Sequence, residues 1–358
     1  MSMRRYLPVL AIPLFLFACV RCETAPARSG SVVIMSYNLQ TLFDPVDQGG
    51  EYEEFRVSTG AWGEAPYKAR LAALASAIAA ASLPGATGTG PDVLVVQEAE
   101  NARVLRDLAE AAGAYPYIAS SPDEDANLGC GVLSRYPITA VRAHRIRKPD
   151  GAPSSVPRYL LEVELDVEGR RLLVIAAHLK SKLGGAEETE AERRAATSFA
   201  GMLVGSRLAA DPSLAVVVAG DFNENPDEFD RVGRAYPTAL MAPDAGPGPW
   251  LLITGDRGSF EAGGDSALVA SAPVLYCPWD EGGGYSYRYQ GECERIDQLL
   301  LSPGLVSERG CPLGFQAFSA EPPEFAIDAE GNPLGWNARS GSGYSDHLPI
   351  RVQLEIKP

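Results

Sequence analysis

The apolar run VVVAG, residues 216–220, ends in Asp221 and Asn223. Side chains two positions apart on an extended chain point the same way, so an acid and an amide reach one spot. The pattern recurs along the sequence. VVIMSY ends in Asn38, DVLVVQ ends in Glu98, and RLLVIAA ends in His178 with Lys180 and Lys182 just beyond. ERIDQLLL carries Asp297, and GYSDHLPI carries Asp346 and His347 before the last apolar run. Burying such groups unpaired costs roughly several kcal/mol each, so folding alone does not explain them. Two of the three histidines fall among these carboxylates, which points to catalysis; His144, in RAHRIRK, reads as a solvated surface residue.

The chemistry such a set suits is phosphodiester hydrolysis, which loads negative charge onto phosphoryl oxygens, attacking water and leaving oxygen. A divalent cation on Asn38 and Glu98, in the company of Asp346, would offset that charge as a Lewis acid. Hard oxygen ligands favour Mg²⁺ or Mn²⁺. His347, held by Asp297, would hydrogen-bond the phosphate as imidazolium or take the water's proton as a base, and Asp221 competes for the second role. Arg135, Arg158, Lys180 and Lys182 are candidate phosphate contacts, each equally readable as a solvated charge. Tyr285, Tyr287 and Tyr289 alternate, so they share a strand face, expected to pack on loops and not to stack bases.

The elements that must carry these residues are mixed in type. Strand-like runs cover 32–38, 92–98, 130–134, 158–167, 171–178, 214–221, 296–301 and 350–356, with Glu168 and Gly169 as a hairpin turn. Helical periodicity covers 67–82, with Leu71, Leu74, Ala75 and Ile78 on one face, and about 187–209, with Phe199, Leu203 and Leu208. Asn225 and Pro226 read as the cap and first turn of another helix. Hairpins mixed with helices predict an α/β sheet sandwich. Residues 237–284, rich in Gly and Pro, read as a loop insertion over one end of the core.

The 358 residues carry a net charge of −15, with 46% apolar content, ample for a large core. An acidic surface argues against tight nonspecific nucleic-acid binding but not against a nucleic-acid substrate. Arg4 and Arg5 precede an apolar stretch, residues 7–20, too short to span a bilayer and suited to a signal peptide. Its end, Leu16-Phe17-Ala18-Cys19, resembles a bacterial lipobox. That divides the chain into a signal peptide (1–18), a tether (19–30) beginning at a lipidated Cys19, and one catalytic domain (31–358). The expected location is a bacterial membrane surface facing periplasm or exterior, with simple secretion as the alternative. Export permits one bridge among Cys277, Cys293 and Cys311, while Cys130 reads as a buried free thiol.

Taken in order, SYNLQ, QE, LSRYPI, HLKSK, GDFNENP, RIDQLLLS and SDHLPI resemble the signature segments of the endonuclease/exonuclease/phosphatase superfamily. Within it, YSYRYQGECERIDQLLLSPGL looks most like the bacterial extracellular nucleases, although Gln298 stands where many of those have His. The resemblance implies a four-layer α/β sandwich: two packed, mostly antiparallel mixed sheets flanked by helices, with the site at one edge. It implies Asn38 and Glu98 as the metal pair, and Asp221 and Asn223 as the pair that orients water and binds the phosphoryl oxygen. Asp346 and His347 match the closing dyad, Asp297 orients the histidine, and His178 takes a position shared with Tyr. The expectation is an exported, metal-dependent phosphodiester hydrolase cleaving DNA or RNA. The alternatives are a phospholipid or phosphorylated small-molecule hydrolase and a non-catalytic surface lipoprotein.

Overall fold

Each of the eight strand-like runs named above folds as a strand. The computed structural model describes residues 30–80, 90–113, 115–122, 128–147, 158–261, 273–307 and 310–358. The proposed signal peptide, Cys19 and all of the tether but Gly30 lie outside the described residues, as does Cys22.

In chain order the strands are β1 (Ser31–Leu42), β2 (Val93–Ala99), β3 (Tyr117–Ser120), β4 (Gly129–Ser134), β5 (Ile138–Arg145) and β6 (Tyr159–Val167). Next come β7 (Arg170–His178), β8 (Ala215–Asp221), β9 (Leu240–Met241), β10 (Leu251–Thr254) and β11 (Val274–Tyr276). The last are β12 (Tyr287–Tyr289), β13 (Glu292–Glu294), β14 (Asp297–Leu301), β15 (Leu313–Ser319) and β16 (Ile350–Ile356). One sheet runs β15-β16-β1-β2-β4-β3, the other β5-β6-β7-β8-β14-β11-β10-β9, and β12 and β13 form a separate hairpin. Most neighbours are antiparallel; β1 with β2, β7 with β8, and β10 with both its neighbours are parallel.

The period of two along the strands divides the core. Val32, Ile34, Val93 and Val95 turn inward, clustering with Leu161, Val163, Val174 and Val217 of the second sheet. Met35, Tyr37, Leu94 and Val96 turn outward, onto Leu74 and Ile78 of α1 (Glu64–Ala80) and Leu105 and Leu108 of α2 (Ala102–Ala112). The second sheet is covered by α3 (Ala186–Ala210), which buries Ala196, Ala200, Val204 and Leu208. The layers are helix, sheet, sheet, helix, the sandwich expected. Asn101 caps α2 by accepting hydrogen bonds from the Arg103 and Val104 N–H groups.

Three readings need correction. Residues 237–284 are more than loops, because β9, β10 and β11 extend the second sheet. No bridge forms among Cys277, Cys293 and Cys311: Cys277 and Cys311 are buried free thiols, and Cys293 is exposed on the separate hairpin. Asn225 caps no helix. Its side chain donates to Glu228 Oε2 at 2.8 Å and accepts from the Arg295 N–H at 2.7 Å, tying the loop after β8 to the approach to β14.

Candidate active site

The strands β7, β8 and β14 lie side by side, and their register sets His178 opposite Asp221 and Asp221 opposite Asp297. Laterally paired residues share a sheet face, so one row of three titratable side chains crosses the second sheet. Gly220 lets β7 and β8 close up beside this row, since a Cβ there would fall 1.8 Å from the Ala177 carbonyl oxygen. From the first sheet, Asn38 arrives by simple strand alternation with Val32 and Ile34. Its Nδ2 donates to Asp221 Oδ2 at 3.0 Å and Glu98 Oε1 at 3.1 Å.

Glu98 does not arrive that way. Alternation from Val93 and Val95 would turn it outward, but its φ of +62° and a register shift between Val96 and Ala99 swing it to the site. There the Thr41 N–H donates to its Oε2 at 2.8 Å. Gln40, Thr41, Glu98 and Asn223 all have positive φ and all border the site. Strained backbone of this kind collects where function over-determines it.

The two histidines have opposite characters. His347 Nδ1 lies 2.8 Å from Asp297 Oδ2, with Nε2 3.9 Å from Asp221 Oδ2. Burial alone would lower its pKa, yet Asp297, Asp221 and Asp346 lift it well above the usual imidazole range. Tyr287 stacks on its ring at 4.7 Å. His178 is held well below that range by burial first, then by the charges of Arg158 and His347. That favours its neutral form, with Nε2 3.7 Å from both Glu98 Oε1 and Asp221 Oδ2.

Ligand atoms of Glu98, His178 and Asp221 all lie within 4.8 Å of one another. Burial, then the Asp346 charge, raises the Glu98 pKa. Burial chiefly pushes Asp221 up to about 7, Asp297 adding to the effect and His347 opposing it. Two carboxylates crowded together out of water beside a neutral imidazole fit a divalent cation. The carboxylates suit Mg²⁺ or Mn²⁺, and the imidazole extends the range to softer metals. This grouping differs from the metal set expected from sequence. The Asn38 oxygen is engaged by the Gln40 N–H at 2.9 Å, while Asp346 lines the cleft.

That cleft has a volume of about 490 Å³, and Arg158, Lys180, Phe43, Tyr52 and Tyr287 are among its lining residues. Arg158 Nη1 donates to the His178 carbonyl at 3.0 Å, because the start of β6 neighbours the end of its antiparallel partner β7. Asn223 also stands at the cleft, its N–H donating to Asp221 Oδ1 at 2.7 Å.

Arg135 is not at the site. β4 runs antiparallel to β2, so its end points away, and Arg135 pairs instead with Asp92 at 3.3 Å. Lys182 Nζ is committed to Glu228 at 2.7 Å. Gln298 sits on the opposite face of β14 from Asp297, donating to the carbonyls of Glu224 and Arg295, so it has no part in gripping substrate. His144 is not simply solvated; it bonds Glu162 at 2.7 Å and packs edge-on to Phe199. The three tyrosines part company: Tyr287 joins the site, Tyr285 donates to the Gly331 carbonyl, and Tyr289 is exposed. Sequence reading missed Tyr287, Tyr52, Gln40 and Thr41 as site residues; only the tyrosine alternation hinted at the first.

Two mixed sheets with a carboxylate–imidazole cluster and an Asp–His dyad at one edge define a hydrolase of phosphoester bonds. The model of the Endonuclease/Exonuclease/phosphatase family matches residues 33–234, and the chain belongs to that family. Its enzymes depend on divalent metal. Among solved structures, TDP2 from C. elegans superposes with a TM-score of 0.53 at 17% identity, covering 91% of this chain and 75% of that one. D. rerio TDP2 complexed with a single-strand DNA product gives 0.51 at 16% identity, covering 90% and 98%. A Bacteroides thetaiotaomicron mannosyl-6-phosphatase gives 0.51 at 14% identity, covering 90% and 99%. These likenesses establish the fold. A comparison with curated proteins finds no match.

Proposed function

We propose that this protein is an exported nuclease that hydrolyses phosphodiester bonds of DNA or RNA, taking the strand unpaired into the cleft. The observation that carries the reading is the Asp297–His347 dyad facing Asp221 across 3.9 Å in a cleft with aromatic walls. Asp221, its Oδ1 fixed by the Asn223 N–H, orients the attacking water, whose proton passes to solvent as its oxygen bonds phosphorus and the bond from phosphorus to the leaving oxygen breaks. His347, its Nδ1–H held by Asp297, donates from Nε2 to a phosphoryl oxygen as charge builds there. Arg158 and Lys180 contact the phosphate, and Tyr52 and Tyr287 offer faces to bases. A divalent cation held by Glu98, His178 and Asp221 would supply Lewis-acid stabilisation of the phosphoryl and leaving oxygens. The TDP2 structure with single-strand DNA product supports an unpaired strand in this fold.

A phosphorylated small molecule is the second reading. Arg158 and Lys180 are the only lysine or arginine side chains lining the cleft among the described residues, few for a long polyanion. A mannosyl-6-phosphatase shares the fold. Rates on single-stranded and duplex DNA, RNA, sphingomyelin and a sugar phosphate, with Mg²⁺ or Mn²⁺, separate the two. The nuclease reading expects the highest kcat/KM on single strands; a sugar phosphate turned over faster would replace it.

Export rests on Arg4, Arg5 and the apolar residues 7–20, with Cys19 as a lipid-anchored residue at the periplasmic or outer surface. Mass spectrometry of membrane-derived protein should find an acylated Cys19. A soluble form starting elsewhere would contradict the anchor.

A further inference from the structure

Arg70 lies on α1, on the far side of the first sheet from the cleft, and is fully buried. Its guanidinium makes no carboxylate pair among the described residues. It donates instead to three backbone carbonyls: Nη1 to Tyr344, and Nη2 to Leu39 and, at 3.1 Å, to Gln40. The Trp336 ring closes over it at 5.0 Å.

Those carbonyls belong to two separate segments that both deliver site residues. Residues 39–41 form a left-handed turn, with φ of +51° at Gln40 and +59° at Thr41. The turn aims the Gln40 N–H at Asn38 Oδ1 and the Thr41 N–H at Glu98 Oε2. Residues 344–347 lead into His347. The two are stitched together again by Gln40 Oε1, which accepts from the Trp336 N–H at 2.6 Å and the Asp346 N–H at 3.1 Å. Ser345 Oγ donates to the Asn38 carbonyl at 2.7 Å and accepts from the His347 N–H at 3.1 Å.

We propose that Arg70 is a positioning residue: by clamping the 39–41 turn to the 344–347 segment, it fixes Glu98 and His347 relative to each other. This rests on the reading of Glu98 as part of a cation site. The choice of side chain follows from shape. A planar guanidinium presents several donors in a fixed fork and can serve three carbonyls on two segments, whereas a lysine ammonium is a compact charge on a flexible stem. No group of Arg70 lines the cleft, so it acts through the backbone it holds and through the field of its charge at Asp346 and Glu98; Arg70→Lys keeps that charge and removes the fork.

The test uses the full-length protein, Arg70→Lys, Gln40→Ala and the double variant. Mn²⁺ affinity is measured by calorimetric titration, and kcat and KM are measured separately on an oligonucleotide. For folded Arg70→Lys, Mn²⁺ affinity should fall by about tenfold or more, as expected when support of a metal ligand is lost. Its kcat should drop on the order of 10²-fold with KM little changed, the signature of displaced reacting groups. Gln40→Ala should shift both quantities the same way, and the double variant should be less damaged than the product of the singles. Wild-type Mn²⁺ affinity and kcat in folded Arg70→Lys would overturn the proposal. Should Arg70→Lys fail to fold, Gln40→Ala decides alone, wild-type values there being equally fatal. A wild-type protein that binds no Mn²⁺ would bring down the cation-site reading itself, and this inference with it.

Discussion

Asp297 Oδ2 lies 2.8 Å from His347 Nδ1, joining the first residue of β14 to the loop before β16. Both side chains are almost wholly buried, and Asp297 Oδ1 accepts no hydrogen bond among the described residues. A buried carboxylate so placed fixes the imidazole tautomer and favours its charged form.

Because the pair acts as a unit, its losses should not multiply. His347→Ala and Asp297→Ala should each lower kcat by on the order of 10²-fold or more, and the double variant should be little worse than the more damaging single. Steady-state kinetics with circular dichroism as the folding control checks this. Fully multiplicative losses in folded variants would mean the two work independently.

Glu98 and Glu100 are neighbours with different work. Glu98→Gln keeps the Thr41 hydrogen bond but removes a charge from the cation cluster, so activity should fall by about 10²-fold or more with the fold intact. Glu100 accepts the buried Asp44 N–H at 2.7 Å, so Glu100→Gln should act on stability, by about 1 kcal/mol, and spare kcat. Melting temperatures and rates for both variants would expose a reversal.

Arg158 and Arg135 form a similar contrast. Arg158→Ala should cut kcat/KM without lowering the melting temperature much. Arg135→Ala leaves Oδ1 of the fully buried Asp92 carboxylate without its ion-pair partner, Oδ2 keeping the Val33 N–H, and should cost about 1–3 kcal/mol of stability while leaving kcat/KM near wild type. Denaturant melts beside kinetics would detect the opposite assignment.

How much of this was legible beforehand follows from strand geometry. Asn38, His178, Asp221 and Asp297 were readable because each ends or begins an apolar run and strand alternation does the rest. Arg158 and Arg135 looked alike in sequence, since nothing local says whether an antiparallel neighbour brings a strand end toward the site or away from it. Glu98 was found from its type and place, but the φ of +62° that turns it inward depends on Asn38 and Thr41, contacts more than fifty residues away. Gln40 and Thr41 were invisible for the same reason, and the alternation of Tyr285, Tyr287 and Tyr289 only hinted at Tyr287. Asn225 misled because Asn-Pro-Asp-Glu is also a helix start, and the Arg295 N–H that claims its side chain lies seventy residues on. Arg70 sits in a helix whose sequence speaks only of an apolar face.

Below α3, Arg193 and Lys182 serve three carboxylates, Glu190, Glu224 and Glu228. Burial chiefly, then Glu190, pushes Glu224 up to about 8. A carboxyl whose folded pKa lies above its unfolded value adds stability that is complete at acid pH and is lost as pH rises through the folded pKa. The melting temperature of wild type relative to Glu224→Gln should therefore decline from about pH 5 to about pH 9. A difference that stays flat over that range and falls only below about pH 5 would show Glu224 to be ionised and stabilised by Arg193.

In the proposed mechanism Glu98, His178 and Asp221 hold a divalent cation that the Asp297–His347 dyad needs for phosphodiester hydrolysis. The most direct measurement is turnover of a single-stranded oligonucleotide by purified protein stripped with chelator, then titrated with Mg²⁺ or Mn²⁺, in wild type and Glu98→Gln. Expected are no turnover after chelation, saturable recovery in wild type, and at most slight recovery in Glu98→Gln. Turnover that survives chelation, or equal recovery in both proteins, would contradict this mechanism.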